Sequence, residues 1–160
     1  MKTIFLLRHA KSSWENSDLS DFDRPLNQRG LETAPFMGEI IFKNQFQIDL
    51  IVSSPATRAR QTAILVKEAA KINGEIEYDD GIYEASPPRL VKVLSEIAEK
   101  YQSAMLVGHN PGMEGLVKFL AGEIQPMPTA ALAVIDLKID KWNEINADCG
   151  TLRTLLRPRK

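Results

Sequence analysis

The chain has 160 residues, with 20 lysines and arginines against 21 aspartates and glutamates and a formal net charge of −1. That balance supplies no broad attraction to nucleic acid or to a membrane surface, and 44% hydrophobic with 26% charged residues is ordinary globular usage that argues against disorder. One cysteine, Cys149, excludes an internal disulfide framework and fits a reducing compartment. The apolar run at Ile4 to Leu7 is too short for a secretory signal, and no run approaches the ~20 residues that span a bilayer. A single cytoplasmic domain over residues 1–160 is expected.

Thr3 to Leu7 is an apolar, partly β-branched run that reads as a strand buried on both faces of a parallel sheet. Arg8 and His9 follow it directly. Trp14 to Asp23 is polar, acidic and aperiodic, hence a loop. Asn27 is a candidate N-cap for a helix from Gln28 to Phe42, with Leu31, Ala34, Met37 or Gly38, and Ile41 on one side and Pro35 disturbing its start. Ile48 to Ser53 reads as the second strand. Ser54 and Pro55 then open a helix, as capping hydroxyl and first-position proline, that runs to Ile72 and ends at Asn73-Gly74. Ile76 to Tyr78 is a short strand near an edge, followed by a loop over residues 79–88. A helix over residues 89–100 buries Leu90, Val93, Leu94 and Ile97. The strand Ala104 to Val107 leads into His109 and a helix over residues 111–120. After a loop over residues 122–129, Ala131 to Leu137 is a strong strand. Trp142 to Ile145 and Leu152 to Leu156 read as short edge strands, and residues 157–160 form a short basic solvated tail. Strands alternating with helices predict a three-layer α/β fold, a mostly parallel central sheet with helices on both faces.

The only two histidines, His9 and His109, both follow buried-strand patterns, and Arg58 follows a third. Open α/β sheets place ligands at the carboxyl ends of their strands, so these groups are expected at one edge. A cation in a helix's first turn, Arg58 or Arg60, opposes the helix dipole unless an anion binds there, and helix N-termini with arginine forks favour phosphate; either arginine could equally be a surface charge. With Arg8, Arg58 and the helix after His109 around one phosphoryl group, His9 would be the nucleophile. Nitrogen attack needs the neutral ring, which flanking arginines favour. A backbone carbonyl accepting the proton of one ring nitrogen would free the other. No P-loop is present, and Gly108, Gly112 and Gly115 do not match the dinucleotide fingerprint. A metal held by His9, His109 and an aspartate from residues 18–23 would be repelled by the arginines. A metal hydrolase is the runner-up chemistry, and a cysteine phosphatase ranks below it because Cys149 lies far along the chain in an edge-like segment.

Arg8-His9-Ala10, Arg24-Pro25-Leu26 with Gly30, Ser53-Ser54-Pro55 with Arg58-Ala59 and Gln61-Thr62-Ala63, and Gly108-His109-Asn110 together resemble the histidine phosphatase superfamily, with its phosphoglycerate mutase-like fold. Arg-His-Ala-Lys-Ser-Ser-Trp and Asp-Arg-Pro-Leu are similar to the short SixA-type phosphohistidine phosphatases. The resemblance implies a phosphohistidine intermediate at His9, with Arg8, Arg58 and His109 holding the phosphoryl group and no metal or other cofactor. Ala10 stands where the wider superfamily usually has glycine. Larger members carry lid-forming insertions after the second helix, whereas about a dozen residues separate Ile72 from Glu84 here. An open site favours a phosphorylated protein over a small phosphate ester, with inorganic phosphate as product. Arg24 and Lys11 could help bind substrate or be surface charges. Glu84 is the candidate acid for the leaving group, or else a solvated carboxylate. A small-molecule phosphatase or mutase of the same superfamily and a non-catalytic phosphate-binding module are the alternatives.

Overall fold

A computed structural model of the chain describes residues 1–158. Arg159 and Lys160, at the end of the basic tail, lie outside the described residues. Six strands form one sheet in the order β3-β2-β4-β1-β5-β6, made of β1 (Lys2–Arg8), β2 (Ile51–Ser53), β3 (Ile76–Tyr78), β4 (Ser103–Gly108), β5 (Leu132–Leu137) and β6 (Gly150–Leu156). The four strands β3, β2, β4 and β1 run parallel, and β5 and β6 add an antiparallel side. As expected, β3 and β6 are the two edges.

The strand period of two sorts the core into two halves. Ile4, Leu6, Ala104, Leu106, Ala133 and Ile135 face one side, where α3 (Pro87–Ser95) and α4 (Gly112–Ala121) pack with Leu90, Leu94, Leu116 and Leu120. Phe5, Leu7, Met105, Val107, Leu132 and Val134 face the other, covered by α1 (Gln28–Lys43) and α2 (Thr57–Ala70) through Met37, Ile41, Ala63 and Val66. Ile4 through Leu7 are at most 2% exposed, and each such side chain contributes about 1.5–3 kcal/mol of burial before chain entropy is counted. The three layers thus follow from apolar strands that need cover on both faces.

Several local expectations differ from what is observed. In α1 the Asn27 side chain accepts from Gly30 N as predicted, yet Leu31 is exposed, and the helix continues through Pro35 instead of being disturbed there. Strand β2 covers only Ile51–Ser53; Ile48 and Leu50 are buried ahead of it, and the Leu50 carbonyl accepts from Met105 N of β4 at 2.8 Å. Ser54 and Pro55 precede α2 rather than cap it, because the helix begins at Thr57 with Ala56 as an N-cap that makes no side-chain bond. Helix α2 ends at Ala70, where Lys71 takes a left-handed conformation. Helix α3 starts at Pro87 and stops at Ser95, so Ile97 is buried beyond its end, and residues 79–88 include a 3-10 turn at Asp80–Ile82. Trp142 to Glu144 is a 3-10 turn, not a strand. Its ring is fully buried, with Nε1 donating to the Tyr101 carbonyl at 2.9 Å.

One glycine bears directly on the strand end that carries His9. At Gly30 an added Cβ would lie 2.1 Å from the Lys11 carbonyl oxygen. The missing side chain therefore lets α1 start against the chain just after His9. Asn27 N donates to that same carbonyl at 3.0 Å, so the first turn of α1 and the segment leaving β1 hold each other in register.

Candidate active site

Parallel pairing aligns the carboxyl ends of three neighbouring strands. Arg8 lies opposite Gly108, and Ser53 opposite Val107. The ladders continue past the strand ends, with His9 N donating to Gly108 O and Ser54 N to Val107 O, both at 3.0 Å. Four predicted side chains converge there. The rings of His9 and His109 sit 5.1 Å apart, and Arg58 Nε donates to His9 Nε2 at 3.4 Å. Arg8 enters from the end of β1, its Nη1 donating to the Met127 carbonyl at 3.0 Å. Met127 is itself fixed, its carbonyl by Asn110 Nδ2 and its N–H by the Glu114 carboxylate at 2.7 Å.

His9 Nδ1 is 2.7 Å from the backbone carbonyl oxygen of Ala10. A carbonyl only accepts, so the ring proton sits on Nδ1, and Nε2 presents its lone pair. Burial is the main force on this ring, lowering its pKa to about 3 against the opposing Ala10 bond; His109, Arg58 and Arg8 add to the lowering. The neutrality expected from the arginines is thus owed first to desolvation. His109 is lowered to about 4, again first by burial, then by Arg58.

His109 Nε2 lies 2.8 Å from the Ser54 hydroxyl, which also accepts from Ala56 N at 3.2 Å. With that hydroxyl donating to Nε2, the His109 ring proton sits on Nδ1. His109 Nδ1 and Arg8 Nε are buried with no hydrogen-bond partner among the described residues. Arg8 Nε is a donor, and so is His109 Nδ1 in the tautomer in which Ser54 donates to Nε2; buried donors lacking a protein acceptor suit an anionic ligand.

Sequence reasoning missed Asp21, in the 3-10 turn Asp21–Asp23. Arg58 Nη1 donates to its backbone carbonyl at 2.7 Å and Nη2 to its Oδ2 at 3.0 Å. Tyr83 Oη donates to the same Oδ2 at 2.6 Å, and Arg24 Nη1 donates to Oδ1 at 2.9 Å. The Tyr83 bond, followed by those of Arg58 and Arg24, holds the Asp21 carboxyl down at about 2 despite some burial. Tyr83 in turn packs edge-on against His109, with ring centroids 5.5 Å apart. Nothing in an aperiodic acidic loop singled out this one carboxylate among its neighbours.

The weaker candidates fall elsewhere. Arg24 is buried and already engaged, by Asp21, by the Ser13 carbonyl, by the Ser12 hydroxyl and by the Trp14 ring 3.3 Å from its guanidinium carbon. It ties the loop over residues 12–24 together rather than standing free for a ligand. Lys11 is exposed. Glu84 is exposed beside Tyr83, with a left-handed backbone at φ 52°. Cys149 precedes Gly150, which pairs with Leu137, itself opposite Lys2. It therefore lies at the far end of the sheet, about 20 Å from Arg8 along β1. Two surface grooves of about 600 and 990 Å³ also lie at that far end, lined by residues such as Phe46, Asp49 and Gly74; the converging donors, not cavity size, mark the site. Among the described residues no cluster of His, Cys, Asp or Glu is arranged to hold a metal, and no helix is long and apolar enough to cross a membrane.

Two imidazoles and two arginines thus meet at the strand ends of a parallel-centred α/β sheet, an arrangement that suits an anionic ligand. Residues 4–114 match the family model of the histidine phosphatase superfamily (branch 1), and the chain belongs to that family. The Agrobacterium tumefaciens protein named SixA superposes with a TM-score of 0.85 at 32% identity, covering 98% of both chains. SixA complexed with tungstate shares the fold, with a TM-score of 0.79 at 24% identity over 98% of this chain and 97% of that one. A chloroplastic protein of Arabidopsis thaliana is 31% identical over 93% of this chain and 72% of its own length. Family membership and the likeness to the 32% identical Agrobacterium protein support phosphatase activity.

Proposed function

We propose that the chain is a metal-independent phosphatase that takes a phosphoryl group onto His9 Nε2 and passes it to water, with phosphohistidine on a protein as substrate. The observation that carries the proposal is the His9 Nδ1 to Ala10 carbonyl contact of 2.7 Å, which aims a neutral Nε2 at the side where Arg8 and His109 hold unpartnered donors. In the first step Nε2 attacks phosphorus, the P–Nε2 bond forms, and the bond to the leaving group breaks. The imidazolium charge that develops is met by the Ala10 carbonyl through Nδ1–H. Arg8, Arg58 and His109 donate to the equatorial oxygens; each such fixed donor is worth about 10²–10³ in rate. Water then attacks the same phosphorus, releasing inorganic phosphate and neutral His9. Glu84 is the proposed proton donor to leaving groups that need one.

Two features support a protein substrate. Only residues 71–75 separate α2 from β3, too few to build a lid. Trp14, 76% exposed, stacks on Arg24, which bonds the same Asp21 carboxylate as Arg58, and offers an apolar surface on that loop. The Agrobacterium neighbour's name points the same way, to a phosphohistidine phosphatase. A panel comparing kcat/KM on a phosphohistidine protein, p-nitrophenyl phosphate and sugar phosphates tests the proposal. Preference for the phosphoprotein is expected. Preference for a sugar phosphate assigns the chain to the small-molecule phosphatases, and no turnover with retained phosphate binding makes it a binding module.

A further inference from the structure

A guanidinium has two usable edges, and Asp21 occupies one edge of Arg58. Its backbone carbonyl takes Nη1 at 2.7 Å and its Oδ2 takes Nη2 at 3.0 Å. The remaining edge, with Nε, is thereby turned to His9 Nε2 at 3.4 Å. The same Oδ2 accepts the Tyr83 hydroxyl at 2.6 Å, and that ring lies edge-on to His109. Asp21 is anchored on its other oxygen by Arg24, which is 7% exposed and held by Ser12 and Ser13. One carboxylate therefore braces both flanks of the nucleophile, 37 residues in sequence from Arg58 and 62 from Tyr83.

Resting on the phosphoryl-transfer role proposed above, we infer that Asp21 is a positioning residue that fixes the Nε edge of Arg58 toward the phosphoryl group bound at His9. It touches neither the phosphoryl group nor the reacting atoms, and its contribution passes through Arg58. Its carboxyl stays ionised at neutral pH because three donors converge on it. A group that orients a transition-state donor affects kcat more than substrate binding, and removing it once that donor is gone has little further effect.

A double-mutant cycle on the full chain tests this, read by p-nitrophenyl phosphate kinetics and by calorimetric binding of orthovanadate. Asp21→Ala is expected to lower kcat by about 10- to 100-fold, the range for partners that orient a functional group, with KM changed by less than about threefold. In an Arg58→Ala background the same substitution is expected to change kcat and vanadate affinity by less than about threefold. Asp21→Asn keeps the backbone carbonyl and a side-chain acceptor and is expected to lose less than Asp21→Ala; it serves in the cycle if the alanine variant fails to fold. Equal fold losses in both backgrounds would overturn the role assigned to Asp21. Vanadate binding needs no turnover, so a wild type that binds vanadate but hydrolyses neither p-nitrophenyl phosphate nor a phosphohistidine protein refutes the phosphatase reading while the binding arm still decides Asp21.

Discussion

Ala10 presents its backbone carbonyl 2.7 Å from Nδ1 of His9, the residue directly before it. The contact sets the tautomer of the ring without spending a side chain, and it survives any substitution at residue 10 that keeps the backbone path. With Arg58 Nε directed at the opposite nitrogen, the geometry describes a ring that is neutral in the resting protein and ready to become cationic only when Nε2 forms a bond.

Both histidines should therefore be silent near their ordinary pKa of 6.5, since His9 is lowered to about 3 and His109 to about 4. The unfolded chain takes up both protons as pH falls through 6.5 while the folded chain does not. The stability that depends on these rings is complete above 6.5, declines as pH falls toward 4, and flattens below the folded values. Between pH 6 and 5 the slope approaches about 2.7 kcal/mol per pH unit if both rings stay neutral. Urea unfolding in phosphate-free buffer measures it. The ring C–H resonances of the chain's two histidines should not titrate above pH 5, and a midpoint near 6.5 for either would contradict the burial argument.

Arg58→Ala should lower turnover by about 10²–10³-fold, the loss typical of one transition-state donor. Read from the sequence, a cation in the first turn of α2 opposes the helix dipole, so its removal should leave stability level or slightly raised. The Asp21 pair reverses that expectation. Arg58 is buried and bonded twice to Asp21, and its loss should cost about 1–3 kcal/mol. Kinetics and thermal unfolding of one variant check both halves. Unchanged stability would mean that the Asp21 pair is weak in solution.

The strand ends were legible because their signal is local: each apolar run stops at a residue with chemistry, and a parallel sheet aligns such ends. His9 and His109 are read this way, as is the two-faced core of β1 and β4. Asp21 was not legible, because its meaning lies in Arg58 and Tyr83, distant in sequence and brought near only by packing. Trp142 misled for a related reason. A bulky aromatic three residues before Ile145 looks like strand, but burial of its ring and the Glu144 bonds to Asp140 N and Lys141 N favour a tight turn. Ser54 looked like a helix cap, whereas its hydroxyl faces His109.

Glu84 holds a left-handed backbone at φ 52°, a conformation that glycine adopts without strain. Glu84→Gly should raise stability by up to about 1 kcal/mol, which a thermal or urea midpoint will show. If the carboxyl donates a proton, Glu84→Gln should damage alkyl phosphate hydrolysis most, by about 10²-fold or more, p-nitrophenyl phosphate mildly and phosphohistidine least, because the departing nitrogen is basic and its bond labile. Equal losses across the three substrates would make Glu84 a binding group, and no loss would return it to the solvated surface.

The covalent step is the centre of the account, and single-turnover labelling tests it most directly. Enzyme in excess over phosphoryl-labelled substrate is quenched without acid, to spare a phosphorus–nitrogen bond, and digested for mapping. The account predicts label on Nε2 of His9, with no label and no turnover in a folded His9→Ala variant. Label on Cys149, or hydrolysis without any labelled protein under single-turnover conditions, would contradict it.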